Sequence, residues 1–171
     1  AVNGTMNKKG YPVSSFWAFD LAGLNSENGA PEFNFHNAGG ASAEIDCTEY
    51  MVHMGTLEPK TTLGVNMMFR WKRFSFPFNI YLSHGNQTFL ASPYENGYSM
   101  PSETRNVSDE LNNRWQKPGD EKFTNIPSIP VGDNCFQLYP FSNKSTGIYP
   151  LDAWAHSNAR VVDAWYIRFS D

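Results

Sequence analysis

Residues 61–83 read TTLGVNMMFRWKRFSFPFNIYLS, and this stretch decides the fold. Odd positions of its first half are apolar: Leu63, Val65, Met67, Phe69 and Trp71. Even positions of its second half are apolar: Phe74, Phe76, Phe78, Ile80 and Leu82. Each run has the two-residue period of a strand. The phase changes across Lys72-Arg73. A two-residue hairpin there pairs Trp71 with Phe74, Phe69 with Phe76, Met67 with Phe78, Val65 with Ile80 and Leu63 with Leu82. Every apolar residue then faces an apolar partner on one side of the sheet, and a slip of one residue would undo the arrangement. The other side pairs Arg70 with Ser75, Asn66 with Asn79 and Gly64 with Tyr81. It is mostly polar, and Tyr81 is placed to cover the gap beside Gly64. Each arm has nine residues, Leu63 to Trp71 and Phe74 to Leu82. Strands that cross a bilayer at a tilt need about 9–11 residues, whereas soluble strands usually have about 5–6. Trp71 and Phe74, beside the turn, stand where an aromatic girdle meets lipid headgroups. Two features fit less well. Lys-Arg is not a favoured two-residue turn, so a longer loop in the same register is an alternative. Pro77 is expected to mark a bulge or a missing ladder bond on the polar side.

Outward from this hairpin the chain divides into four parts. Residues 1–60 hold short apolar bursts broken by Gly, Asn and Pro. One strand is expected between Val13 and Leu24, with Gly10 and Gly23 as bounding turn residues. Asn25-Ser26-Glu27-Asn28-Gly29 is a turn signal, and Ala38-Gly39-Gly40-Ala41 a second break. Residues 61–83 are the hairpin. Residues 84–158 form an irregular stretch far beyond ordinary loop length. A short helix is expected from Ser108 to Trp115, capped by Asn106 or Ser108, with Asp109 and Glu110 in its first turn. Pro118-Gly119-Asp120 should end it, and prolines 127, 130, 140 and 150 should keep the rest extended or turning. Residues 159–171 begin another strand. There Val161, Asp163, Trp165, Ile167 and Phe169 point one way, and Arg160, Val162, Ala164, Tyr166 and Arg168 the other.

Composition bounds the function classes. Of the 171 residues, 40% are hydrophobic, 18% charged and 15% aromatic, which is a folded rather than a disordered chain. The formal charge of −4 argues against nucleic acid as a partner, and the sequence shows no basic cluster. No apolar run approaches the roughly 20 residues of a spanning helix, but alternating barrel strands average out as only half apolar. The chain starts at Ala1 without an initiator Met or leader and stops within an expected strand, so it reads as a piece of a longer protein.

Gly10 to Pro31, Gly55 to Gly64, Trp71 to Ser75, Asn113 to Asp120 and Val161 to Phe169 hold short signatures that resemble, in order, those of SusC/RagA-type TonB-dependent transporters. Gly10-Tyr11-Pro12-Val13-Ser14-Ser15-Phe16-Trp17, Ala22-Gly23-Leu24-Asn25 and Asn28-Gly29-Ala30-Pro31 resemble that family's G-x-P-x-G-S … GL[DN]xxxGxP stretch. Gly55-Thr56-Leu57-Glu58-Pro59-Lys60, followed by Gly64, resembles its approach to a strand. Trp71-Lys72-Arg73-Phe74-Ser75 resembles its YKnFs periplasmic turn. Asn113-Arg114-Trp115-Gln116-Lys117-Pro118-Gly119-Asp120 resembles NRWtkPGD, the most specific motif of the set. Val161 to Phe169 resembles vEDaSYLRLkn. Departures are Ser14 for a usual glycine, Val162 for the usual Glu, Trp165 for the usual Ser, and a longer, Pro-rich loop after Pro118.

The resemblance implies an all-β fold: antiparallel strands of a transmembrane β-barrel, seen in part near its C-terminal end, with long irregular extracellular loops. It implies residence in the bacterial outer membrane, in contact with its lipid, and uptake of oligosaccharides or peptides with a SusD-like surface lipoprotein as lid. TonB would act through a plug expected to lie outside this chain. By loop length, Lys72-Arg73 would be periplasmic, and residues 84–158 with most of 1–60 extracellular.

The weak candidates for substrate contact are aromatics of the expected outer loops: Trp17, Tyr94, Tyr98, Trp115 and Trp154. Packing within the loops is the commoner role for such residues. The NRW-PGD motif reads first as structural, because Pro118 stops a helix and Gly119 permits a turn. Cys47 and Cys135 are compatible with one disulfide or with two unpaired small apolar residues. His36, His53, His84 and His156 lack metal-ligand spacing, and Glu44 with Asp46 lacks that of a calcium loop. No nucleophile elbow, anchored Cys-His pair or phosphate loop is present. Neither an enzyme nor a cofactor is therefore expected. One alternative class stays open. It is a secreted β-sandwich that binds carbohydrate and is closed by a Cys47–Cys135 disulfide, and the glycosylation-type sequences at Asn3, Asn86, Asn106 and Asn143 suit it.

Overall fold

A computed structural model describes residues 7–34, 51–95, 99–129 and 149–170. The described residues are mostly strands, with one short helix and a few 3-10 turns, so the all-β class holds for them. The strands are β1 (Ser15–Phe19), β2 (Leu21–Leu24), β3 (Pro31–Phe33), β4 (Met51–Thr56), β5 (Thr61–Trp71), β6 (Phe74–His84), β7 (Gln87–Phe89), β8 (Val161–Asp163) and β9 (Tyr166–Ser170); the helix is α1 (Pro150–Ala155). They form ladders β1-β4, β2-β3, β5-β6-β9 and β7-β8. The chain separates into two compact units. A hairpin unit comprises Ala1–Phe16, Met54–Thr88 and Val162–Asp171, and a loop unit comprises Trp17–His53 and Phe89–Val161.

The hairpin unit is built on the β5-β6-β9 sheet. β5 and β6 pair antiparallel from Thr61↔His84 to Trp71↔Phe74 without a register shift. This is the register the apolar alternation requires, in arms of 11 residues rather than nine. The turn is the two-residue one. Lys72 takes φ 53°, the left-handed region that this class of hairpin usually gives to Gly or Asn. The register also corrects the expectation for Pro77. In a two-residue hairpin the Trp71–Phe74 pair exchanges hydrogen bonds, and such pairs recur at every second position. Pro77, opposite Met68, falls on a pair that does not. Its ring nitrogen therefore faces away from β5, and neither a bulge nor a lost β5-β6 bond results. The space beside Gly64 is open, since an added Cβ would meet nothing within 4 Å. Tyr81 packs instead against Tyr166, with ring centroids 5.9 Å apart.

β9 joins the other edge of β6 in the register Ile80↔Phe169 and Leu82↔Ile167. Ile167 and Phe169 thus extend the apolar side of the hairpin. The strand expected from residue 159 is broken: a 3-10 turn covers Asn158–Arg160, and Ala164-Trp165 separate β8 from β9. Asp163 lies in β8, where its carboxylate accepts a hydrogen bond from Gln87 Nε2 at 2.6 Å.

In the loop unit, β2 and β3 form a small hairpin closed by the expected Asn25–Gly29 turn. Asn25 Oδ1 accepts from Glu27 N at 2.8 Å, and Gly29 N donates to Asn25 O at 2.9 Å. Asp20 divides the single strand expected over 13–24 into β1 and β2, and Gly23 sits at a register slip inside β2. The helix expected from Ser108 is a 3-10 turn over Asp109–Asn113, capped by Ser108 Oγ. It ends at Arg114, before the Pro-Gly pair. α1 was not expected, because Pro150 read as a breaker. Pro150 stands at the first helical turn, where its missing N–H costs nothing. The break at residues 38–41 lies outside the described residues, as do both cysteines, Tyr98 and His36.

Replacing Lys72 with Gly should relieve the left-handed backbone and stabilise the hairpin by about 1 kcal/mol. Urea denaturation of the chain in detergent micelles would measure this. An unchanged or lower midpoint would contradict the turn geometry.

Candidate functional site

The largest functional feature of the hairpin unit is a surface. Ten apolar side chains of β5 and β6 and two of β9 share one side of the sheet. Most are exposed: Phe69 by 66% and Phe169 by 70%, with Leu63, Met67, Trp71, Phe74, Phe76, Phe78 and Ile167 also open. At roughly 200 Å² for a free aromatic side chain, the six aromatics alone leave on the order of 700 Å² uncovered. The largest apolar patch on a typical soluble monomer is about 300–600 Å². Phe74 and Phe76 stack beside the turn with centroids 6.3 Å apart. The opposite side carries Gly64, Asn66, Arg70, Ser75, Asn79, Tyr81, Ser83, Tyr166 and Arg168, with Met68 and Pro77 as its apolar members. The sheet therefore has one side that is apolar from the turn to Leu63 and Leu82, with Thr61 and His84 at its far end, and one mainly polar side. Eleven residues at about 3.4 Å each give a strand about 37 Å long. Tilted by about 45°, it spans about 26 Å, close to the apolar band of a barrel wall.

The loop unit supplies the aromatics singled out as substrate candidates, and it buries the four that lie among the described residues, Trp17, Tyr94, Trp115 and Trp154. Trp154 is 1% exposed and Trp115 8%; Trp17 and Tyr94 are equally enclosed. Tyr94 and Trp154 meet edge to face at 5.6 Å within a core that includes Leu111, Leu151 and Ala155. Trp17 packs separately, edge-on to His53 at 5.2 Å. Their polar atoms tie loop carbonyls down: Tyr94 OH donates to Pro127 O and Trp154 Nε1 to Asn125 O, each at 2.6 Å. Burial raises the Tyr94 hydroxyl pKa well above the ordinary phenol value, so it stays a donor. Arg160, also buried, lies over the Trp154 ring at 4.7 Å. It pairs with Glu110 and donates to Ala91 O at 2.6 Å. These rings form the core of the loop unit and offer no open face for stacking. Among the described residues of this unit the most open aromatic ring is Phe123, 90% exposed, which the sequence reading passed over.

The NRW-PGD segment is a hydrogen-bonded knot. Asp120 Oδ2 accepts from Gln116 N and Lys117 N, both at 3.1 Å. Glu121 Oε2 accepts from Gly119 N at 2.7 Å and from Trp115 Nε1 at 3.4 Å. Its own backbone N–H is the largest cause of a lowered Glu121 pKa, followed in the same direction by Gly119 N–H and the Trp115 indole; partial desolvation opposes them. The motif meets the earlier Asn28-Gly29-Ala30-Pro31 signature directly. A Cβ at Gly29 would stand 2.5 Å from the Trp115 ring and 2.9 Å from Ser128 Cβ. Ser128 Oγ donates to Asn28 O at 2.7 Å.

A cavity of about 380 Å³ opens beside this core, lined by Phe89, Ser92, Tyr94, Asp152, Ala155 and His156 among others. His156 Nδ1 lies 2.8 Å from Asp152 O and 3.5 Å from its carboxylate. Tyr94 is the one sequence candidate on its wall. Asp152 was not singled out and His156 was weighed only as a metal ligand, because only the unexpected helix α1 brings the two together.

Gly29→Ala should destabilise the loop unit by more than about 2 kcal/mol, since it adds overpacking to left-handed strain. Gly119→Ala, with open space around it, should cost only about 1 kcal/mol. Equal losses in chemical denaturation would contradict the Gly29–Trp115 packing. Because the folded Glu121 pKa is lowered, its stabilisation is present above the ordinary value near 4.5 and is lost as pH falls through the folded value. The Trp115 indole N–H resonance should shift over that acid range and become pH-independent in Glu121→Gln. A shift that persists in the variant would refute the contact.

Comparison with protein-family models and with curated protein sequences finds no match to this chain.

Proposed function

We propose that this chain is part of the wall and outer loops of an outer-membrane, SusC/RagA-type TonB-dependent transporter. The observation that carries the reading is the β5-β6 hairpin, with 11-residue arms, unbroken register and one side that is apolar over nine residues of each arm and largely exposed. In water that side would be an aggregation surface; against lipid it is the surface a barrel strand needs. The polar side, with Gly64, Asn66, Asn79 and Arg168, would then face the lumen. Two details support the family resemblance. Ser14, where the family usually has glycine, takes φ 62°, a backbone that glycine suits. Gly29 and Trp115, from two separate signatures, occupy one packing site.

In this reading the Lys72-Arg73 turn is periplasmic and the loop unit extracellular. The cargo is an oligosaccharide or peptide, delivered beneath a SusD-like lipoprotein lid and drawn through by TonB acting on the plug. The loop unit's part is architectural: its buried Trp and Tyr side chains hold the outer loops in shape, leaving exposed side chains such as Phe123 to meet cargo or lid. The alternative, a secreted carbohydrate-binding sandwich, needs a second sheet over the apolar side, and that side is exposed.

In intact cells producing the whole transporter, a cysteine at Lys72 should resist a membrane-impermeant maleimide, and one at Arg105 should react. Reaction at position 72 before lysis would overturn the orientation. A 171-residue chain that is monomeric in water without detergent would overturn the barrel reading itself.

A further inference from the structure

We infer that the tip of the β5-β6 hairpin is a docking site for anionic phospholipid headgroups; the inference rests on the membrane-spanning reading above. The chain as a whole is acidic, at −4, yet residues 59–94 contain no Asp or Glu. Within that stretch the cations Lys60, Arg70, Lys72 and Arg73 stand unopposed, three of them in the four positions 70–73. The hairpin gathers these three at one end of the sheet, beside Trp71 and Phe74, which are both exposed. Lys72 Nζ lies 5.2 Å over the Trp71 ring, so ring and ammonium present one amphipathic surface at the tip. No salt bridge to a described carboxylate involves Arg70, Lys72 or Arg73.

The arrangement matches a bilayer interface layer by layer. The apolar side from Leu63 to Phe69 and from Phe76 to Leu82 meets acyl chains. Trp71 and Phe74 meet the boundary where amphipathic rings settle. The guanidinium of Arg73 and the ammonium of Lys72 then reach the phosphate layer. A turn needing only to be soluble would be served by Gly-Ser, whose glycine suits the positive φ at the first position. Lys72 instead holds a left-handed conformation at a cost of about 1–2 kcal/mol. Charge at that position compensates for the strain if it meets anionic lipid, where each Lys or Arg near the surface strengthens attachment about fivefold.

The test uses the full chain diluted from urea into large unilamellar vesicles, either phosphatidylcholine alone or with about a third phosphatidylglycerol. The variant Lys72→Gly/Arg73→Ser removes both charges while easing the turn, so weaker binding in it is not a folding defect. Partitioning into the anionic vesicles should exceed that into neutral ones. The variant should lose about 5- to 30-fold on anionic vesicles and little on neutral ones. About 0.5 M salt should erase the preference. Equal partitioning into both vesicle types, unchanged in the variant, would overturn the headgroup site and leave the membrane reading standing. Failure to enter either vesicle would overturn both.

Discussion

Register is the constraint on which the hairpin unit depends. Strand side chains alternate with a period of two, so Trp71↔Phe74 at the turn fixes the side taken by every residue back to Thr61 and His84. In this register every apolar residue of the alternating runs lies on one side. Shifted by one, Trp71 would face Ser75, Met67 would face Asn79 and Leu63 would face Ser83. β9 then pairs in a phase that continues the apolar side with Ile167 and Phe169, which a slip of one residue would turn to the other side. The result is a sheet with a sharply divided surface and a side that water disfavours.

The loop unit answers a different problem. Long irregular segments carry backbone polar groups that need partners and have few ladders to supply them. Buried side chains take that role here. Tyr94 and Trp154 donate to loop carbonyls, Asp120 and Glu121 accept from loop amides, and Arg160 ties Ala91 O to Glu110. The same rings provide the apolar contact that holds these segments together. Aromatic richness in such loops is therefore first a packing device, which explains why Trp17, Tyr94, Trp115 and Trp154 are enclosed rather than displayed.

The hairpin was legible in the sequence because one local period carried all of its information. Its register and turn length followed from the phase change at Lys72-Arg73. The arms proved longer than the apolar run because Thr61, Thr62, Ser83 and His84 pair through backbone atoms and leave no mark on the pattern. The Asn25–Gly29 turn and the Ser108 cap were legible for the same local reason. The loop unit was not. Its contacts join residues such as Gly29 to Trp115 and Glu110 to Arg160, far apart in the chain, and no periodicity announces them. Helix α1 was hidden by its own first residue, since Pro150 reads as a breaker unless it is recognised as a helix start. The cavity beside His156 was hidden with it.

The central claim is that the apolar side of β5 and β6 faces lipid. The most direct measurement is nitroxide scanning of positions 74 to 82 in the bilayer-reconstituted protein, with accessibility to oxygen and to a polar nickel chelate read at each site. The account predicts alternation: oxygen accessibility high at 76, 78 and 80, and nickel accessibility relatively higher at 75, 79 and 81. Uniform accessibility to the nickel chelate, or alternation in the opposite phase, would contradict it.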